Sequence, residues 1–179
     1  MGDSLSAGYG IRPEQSWVAL LQKRLQSEGY EYEVVNASVS GETTEGGLHR
    51  LPRALELHHP RIVLLELGAN DGLRGLPLEG TRDNLEKMIG ASRAAGATVI
   101  LMGMRIPPNY GPRYTDAFVN LYKDLAKRDS LTFIPFFLSS VITDRSLIQA
   151  DGLHPTAEAQ PKLLETVWPS LKPILKGKR

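Results

Sequence analysis

The run Arg61-Ile62-Val63-Leu64-Leu65-Glu66-Leu67 restricts the fold more than any other segment of the chain. A nearly continuous aliphatic stretch of this length reads as a strand buried on both faces, the situation of a parallel sheet packed between helical layers. Three further β-rich runs accompany it: residues 33–37 (Glu33-Val34-Val35-Asn36-Ala37), 98–102 (Thr98-Val99-Ile100-Leu101-Met102) and 131–134 (Leu131-Thr132-Phe133-Ile134). Between them apolar residues recur three and four apart, the period of an amphipathic helix. Trp17, Leu20, Leu21 and Leu25 form one such face, with Ser16 as its expected N-cap and Gly29 as its stop. Leu85, Met88 and Ile89 mark a second that ends near Gly96, and Phe118, Leu121, Tyr122 and Leu125 a third that opens after Pro112. Leu163, Leu164, Val167 and Trp168 mark the last, which Pro169 and Pro173 are expected to kink or end.

Strands alternating with helices predict an α/β fold, a doubly wound, mostly parallel sheet with helices on both faces, because parallel neighbours need helical crossovers. With 179 residues the chain suits one domain, expected over residues 1–175, followed by a basic tail at 176–179. A net charge of +1 argues against an electrostatically driven nucleic-acid binder. No apolar run approaches the ~20 residues of a membrane-spanning helix, so stable membrane insertion is not expected. The chain opens at once with Met1-Gly2-Asp3-Ser4, without the pattern of a signal peptide. The absence of cysteine excludes a thiolate nucleophile, a disulfide framework and a Cys-ligated metal.

In sheets of this kind sites form where loops leave the carboxyl ends of strands. Four polar blocks fall at such places: Gly2-Asp3-Ser4-Leu5-Ser6, the loop Ser38-Val39-Ser40-Gly41-Glu42-Thr43, Gly68-Ala69-Asn70-Asp71, and Asp151-Gly152-Leu153-His154-Pro155. Taken singly, each has an ordinary reading as a turn or a helix start. Together they complement one another chemically. A serine hydroxyl is a weak nucleophile until a positioned base takes its proton, and a histidine oriented by a carboxylate can be that base. The tetrahedral intermediate then needs donors aimed at its oxyanion. The N–H groups of Ser4 and Gly41 and the side-chain amide of Asn70 are candidates.

These four blocks, in this order and spacing, resemble those of the SGNH, or GDSL, hydrolases. Val35-Asn36-Ala37-Ser38, Leu64-Leu65-Glu66-Leu67, Asp71-Gly72-Leu73-Arg74-Gly75, Pro108-Asn109-Tyr110-Gly111 and Pro135-Phe136-Phe137 are similar to the bacterial thioesterase I/lysophospholipase L1/arylesterase branch. The resemblance runs from about Gly2 to Leu175 and implies a flavodoxin-like SGNH hydrolase fold. It implies Ser4 as nucleophile, His154 as base, Asp151 as its orienter, and Ser4, Gly41 and Asn70 as the oxyanion hole. It further implies a metal-free and cofactor-free reaction on acyl thioesters, lysophospholipids and aryl or short-chain esters. The segment 71–78 is similar to the family's substrate-binding loop, so Asp71, Gly72, Leu73, Gly75 and Leu76 are expected at the substrate, with Arg105, Ile106 and Pro107 on the acyl side. Ordinary packing is the competing reading for Leu76 and Ile106.

The family places a buried strand directly ahead of the Gly-Asp-Ser block, where this chain has only Met1. Either the natural protein begins upstream or the sheet manages without its usual first strand. Relatives often carry a signal peptide in that region, which suggests a periplasmic or secreted origin. Adjacent His58 and His59 diverge and suit a solvated helix end before Pro60 better than a metal site, and Trp17 and Trp168 suit the core. Neither a phosphate loop nor a dinucleotide fingerprint is present. A carbohydrate acetylesterase of the same family, or a flavodoxin-like module that binds without chemistry, are the alternatives. The oligomeric state is not legible.

Overall fold

In a computed structural model, which describes residues 1–177, the three strands β1 (Ile62–Leu65), β2 (Thr98–Met102) and β3 (Thr132–Ile134) form a parallel sheet in the order β1-β2-β3. Val63 pairs with Val99 and Leu65 with Leu101, while Ile100 pairs with Thr132 and Met102 with Ile134. Lys178 and Arg179 of the expected tail lie outside the described residues. The helices are α1 (Ser4–Ala7), α2 (Trp17–Ser27), α3 (Thr44–His58), α4 (Ala69–Leu73), α5 (Leu78–Ala94), α6 (Pro112–Arg128) and α7 (Gln160–Leu171). They flank the sheet as two groups: α2 packs on α7, while α5 packs on both α3 and α6. One apolar cluster joins the layers, with Leu65, Leu85, Ile100, Leu101, Phe118 and Leu163 wholly buried. Among the described residues no helix is long and apolar enough to cross a membrane.

Local chemistry explains most boundaries. The Ser16 hydroxyl accepts from the Ala19 N–H and so caps α2, and Gly29 takes the left-handed conformation after it. His58 and His59 end α3 at the surface, with His59 as the left-handed C-cap. Two expectations need correction. Pro169 does not end the last helix: α7 continues to Leu171, because Pro169 lies on the exposed side while Leu171 remains 3% exposed in the core.

Residues 33–37 form no strand. Side chains hold much of this segment where a ladder would: Gln22 accepts from Val34 N–H and donates to Tyr32 O, and Arg50 donates to Ala37 O. Only Met1 and Gly2 stand between it and β1. The Met1 carbonyl accepts from Glu66 N–H at 2.9 Å, Gly2 bridges Glu66 in parallel, and the Gly2 carbonyl accepts from Val39 N–H at 3.0 Å. Beyond those two residues the space is a cavity of about 180 Å³, lined by Val18, Leu21, Val34, Leu55 and Val63 among others. Among the described residues no strand runs beside 33–37 for them to pair with.

Candidate active site

Gly2 and Asp3 lead straight from the Glu66 bridge into α1, so the parallel pairing at the end of β1 fixes where that short helix begins. Asp3 caps it, its Oδ1 accepting from the Leu5 N–H at 3.0 Å. Ser4 is the first helical residue and is half-buried. From the far end of the chain the segment 147–156 folds back toward it. Ile148 and Pro155 form an antiparallel bridge, and Gln149 N–H donates to His154 O at 2.7 Å.

That folding brings three predicted residues into line. His154 Nε2 lies 2.8 Å from Ser4 Oγ, and His154 Nδ1 lies 2.6 Å from Asp151 Oδ2. The other Asp151 oxygen accepts from the N–H groups of Leu153 (2.9 Å) and His154 (3.0 Å). Those backbone donors, that of His154 foremost, hold the Asp151 carboxyl down at about 2, so it is a carboxylate at any ordinary pH.

Gly41 and Asn70 reach the same place from other elements. Gly41 precedes α3, with φ of 79°, and its carbonyl accepts from Arg74 Nη2 at 2.9 Å. The backbone N–H groups of Ser4 and Gly41 have no hydrogen-bond partner among the described residues. Asn70 sits in the first turn of α4, just beyond Gly68. Gly68 adopts φ of 112°, and a Cβ there would lie 2.2 Å from the Tyr122 hydroxyl, so only glycine fits this junction. Asn70 Nδ2 is already engaged, donating to Asp3 Oδ2 at 3.2 Å and to Glu42 O at 3.0 Å. To serve an oxyanion it must share or exchange one of those bonds.

The residues expected at the substrate divide into two sets. Gly75 and Leu76 are exposed, Leu73 is half-buried, and the loop is latched by Tyr110 Oη donating to Leu73 O (2.6 Å) and Tyr114 Oη to Leu76 O (2.8 Å). Arg105 is exposed with its guanidinium 5.0 Å over the Phe136 ring, and Pro107 is half-buried. Asp71, Gly72 and Ile106 instead face inward. Asp71 is 3% exposed, with its carboxylate accepting from Thr44 N–H (2.9 Å), Thr44 Oγ1 (2.5 Å) and Thr81 Oγ1 (3.3 Å), so it is a tie between α3, α4 and α5. Gly72 packs against Ile106 and Phe118. For these three residues packing prevails over substrate contact.

Sequence reasoning missed several residues here. Tyr9 lays its ring 4.4 Å from that of His154 and is 51% exposed, and Leu153 and Val39 are also exposed apolar side chains nearby in the chain. Gln149 Nε2 donates both to Tyr9 O (2.8 Å) and to Pro155 O (2.9 Å), tying the histidine loop to the serine loop. Glu66 lies beneath the nucleophile turn, its Oε2 accepting from Ser6 Oγ at 2.7 Å and Asp3 N–H at 3.3 Å. A charged residue within an otherwise aliphatic strand was the available signal for Glu66. Nothing in the sequence marked Gln149. Among the described residues no group of His, Asp and Glu is placed to hold a metal ion.

Comparison with known proteins agrees with this geometry. The model of the GDSL-like lipase/acylhydrolase family matches residues 1–160. The chain is 53% identical over 175 residues to esterase TesA of Pseudomonas aeruginosa, covering 98% of this chain and 87% of that one. It is 43% identical over 175 residues to thioesterase 1/protease 1/lysophospholipase L1 of Escherichia coli K12, covering 98% and 83%. The crystal structure of the psychrotrophic esterase EstA from Pseudoalteromonas sp., inhibited by monoethylphosphonate, superimposes with a TM-score of 0.93 at 42% identity, covering 97% of this chain and 94% of that one.

Proposed function

This chain belongs to the GDSL-like lipase/acylhydrolase family, and from that premise we propose how its residues divide the work of a serine hydrolase acting on carboxylic esters and thioesters. The observation that carries the assignment is the unbroken line from Ser4 Oγ through His154 to Asp151, with contacts of 2.8 and 2.6 Å.

Ser4 Oγ attacks the acyl carbon while His154 Nε2 takes its proton. The Asp151 carboxylate keeps the hydrogen of the imidazole on Nδ1 and stabilises the imidazolium that forms. Negative charge gathers on the former carbonyl oxygen, where the unengaged N–H groups of Ser4 and Gly41 and the Asn70 amide serve as donors. His154 returns the proton to the departing alkoxide or thiolate. Water then attacks the acyl carbon while His154 takes its proton, and the imidazolium hands that proton to Ser4 Oγ as the Ser4–acyl bond breaks and the acid leaves. No step calls on a metal or cofactor.

Aryl and short-chain esters, acyl thioesters and lysophospholipids form the proposed substrate range, supported by the names of the relatives and by the exposed apolar side chains Tyr9, Leu76 and Leu153. The continuous apolar cluster supports reading residues 1–175 as one hydrolase domain. A periplasmic or secreted site of action rests on the family resemblance alone, and cell fractionation tests it. The test of the chemistry is labelling by a fluorophosphonate together with a panel of p-nitrophenyl esters and acyl thioesters of graded length. Stoichiometric labelling at Ser4, lost in Ser4→Ala and slowed in His154→Ala, is the expected result. Labelling elsewhere, or a Ser4→Ala variant keeping a tenth of the turnover, refutes the assignment.

A further inference from the structure

Beneath the reacting residues lies a second polar chain that the mechanism leaves unused. Glu66 and Asp3 are each 1% exposed, and the Asp3 backbone N–H donates to the Glu66 carboxyl at 3.3 Å, which sets the two acidic residues side by side. Glu66 Oε2 accepts from Ser6 Oγ and Asp3 N–H. Its Oε1 is buried without a partner among the described residues. A buried, bare carboxylate oxygen beside another carboxylate is costly on two counts, desolvation and like-charge repulsion. A proton on Glu66 removes the charge behind both costs and supplies a hydroxyl that can donate to Asp3. Asp3 in turn accepts from Asn70 Nδ2, which the proposed mechanism uses at the oxyanion.

We propose that Glu66 is held as a neutral acid at working pH and is a positioning residue, fixing Asp3 so that Asp3 aims the Asn70 amide. This rests on the serine-hydrolase reading and adds to it a relay running from the end of β1 to the oxyanion site. Burial, then the Asp3 charge, raises the Glu66 carboxyl well above its ordinary value, and burial raises Asp3 to about 6. Asp3 is the member that carries the charge, since each of its oxygens accepts a hydrogen bond whereas Glu66 Oε1 has none. The charged and titratable groups facing the pair are the Met1 amine, with Arg50 near it, and Asp71, His154 and Tyr122. Burial lowers the Met1 amine to about 6.

The test uses steady-state hydrolysis of p-nitrophenyl butyrate by the full chain, with variants checked for folding by thermal melting. Glu66→Ala is expected to lower kcat about 10- to 100-fold with KM unchanged, the effect of losing a hydrogen bond to a charged group. Glu66→Gln, a neutral isostere that can still donate to Asp3, is expected to restore most of that loss. In an Asn70→Ala background, Glu66→Ala is expected to cost no more than about twofold, because the route to the oxyanion is already cut. The infrared difference between wild type and Glu66→Gln at pH 7 is expected to show the carbonyl stretch of a protonated carboxyl. If Glu66→Ala does not fold, Glu66→Gln and the infrared difference decide. A Glu66→Gln variant as impaired as Glu66→Ala, an undiminished loss without Asn70, or no protonated-acid band overturns the inference while leaving the hydrolase reading intact. A wild-type chain without turnover or fluorophosphonate labelling overturns that reading, and the relay with it.

Discussion

Asp151→Asn is the substitution that most sharply tests the line of three. The Oδ1 of Asp151 accepts from two backbone N–H groups, at 2.9 and 3.0 Å, and only an oxygen can do so. An asparagine must therefore keep its carbonyl there and turn its NH₂ toward His154 Nδ1, 2.6 Å away in the native arrangement. Facing a donor, Nδ1 must accept, which moves the ring hydrogen to Nε2. The imidazole then donates to Ser4 Oγ when it should be accepting from it. The fold is spared, since the backbone bonds survive, but the base is in the wrong tautomer. A wrong-tautomer triad loses about 10⁴ in kcat, equivalent to about 5.5 kcal/mol in the barrier. Asp151→Ala frees Nδ1 to hold its own hydrogen and is expected to be no worse. The assay is steady-state and burst-phase hydrolysis of p-nitrophenyl esters, with ¹⁵N NMR of His154 to read the tautomer. An Asp151→Asn enzyme with a tenth of native kcat, or one clearly faster than Asp151→Ala, refutes the reasoning.

Further outcomes are expected. Asn70→Ala should cost about 2.7–4 kcal/mol in the barrier, a factor of about 10²–10³ in kcat, and a loss confined to KM would make Asn70 a ground-state binder. Gly68→Ala should destabilise the fold by about 2–5 kcal/mol, combining a left-handed backbone with overpacking against Tyr122, and urea denaturation measures it. Asp3 gives a pH signature: its carboxyl is raised from 3.8 to about 6, so its contribution to stability is full below 3.8 and is lost as pH rises through 6. Melting temperature should therefore fall between about pH 4 and pH 7 and flatten when Asp3→Asn is combined with Glu66→Gln; an unchanged slope counts against the assignment.

The readable parts of the fold were those whose local pattern and tertiary role agree. β1 and β2 lie within aliphatic runs, β1 burying alternate side chains and β2 four in succession, while α2, α5 and α6 carry clear apolar stripes. Helix α3 was hidden because Gly46, Gly47 and Pro52 all weaken a helical reading, yet Thr43 caps it and Leu51 and Leu55 bury its inner face. Residues 33–37 erred the other way, with strand composition but no neighbour to pair with. The reacting residues were legible because Ser4 and Asn70 stand in the first turns of short helices, Gly41 precedes α3, and Asp151 and His154 sit three apart in one loop, each with a chemistry of its own. Asp71 was expected at the substrate from its sequence neighbours, whereas its carboxylate accepts from Thr44 and Thr81, 27 and 10 residues away. Gln149 reaches Tyr9 across 140 residues, which no local pattern encodes, and for Glu66 its charge within an aliphatic strand was the lone hint of a contact 60 residues away.

The Gln149 amide clasps Tyr9, near one terminus, to Pro155, near the other. The meeting of His154 with Ser4 thus leans on a clasp between two loops far apart in sequence and outside the sheet. On gentle heating, hydrolysis should fade while the circular dichroism of the helices persists, so turnover would report the fraying of this seam earlier than any measure of bulk order.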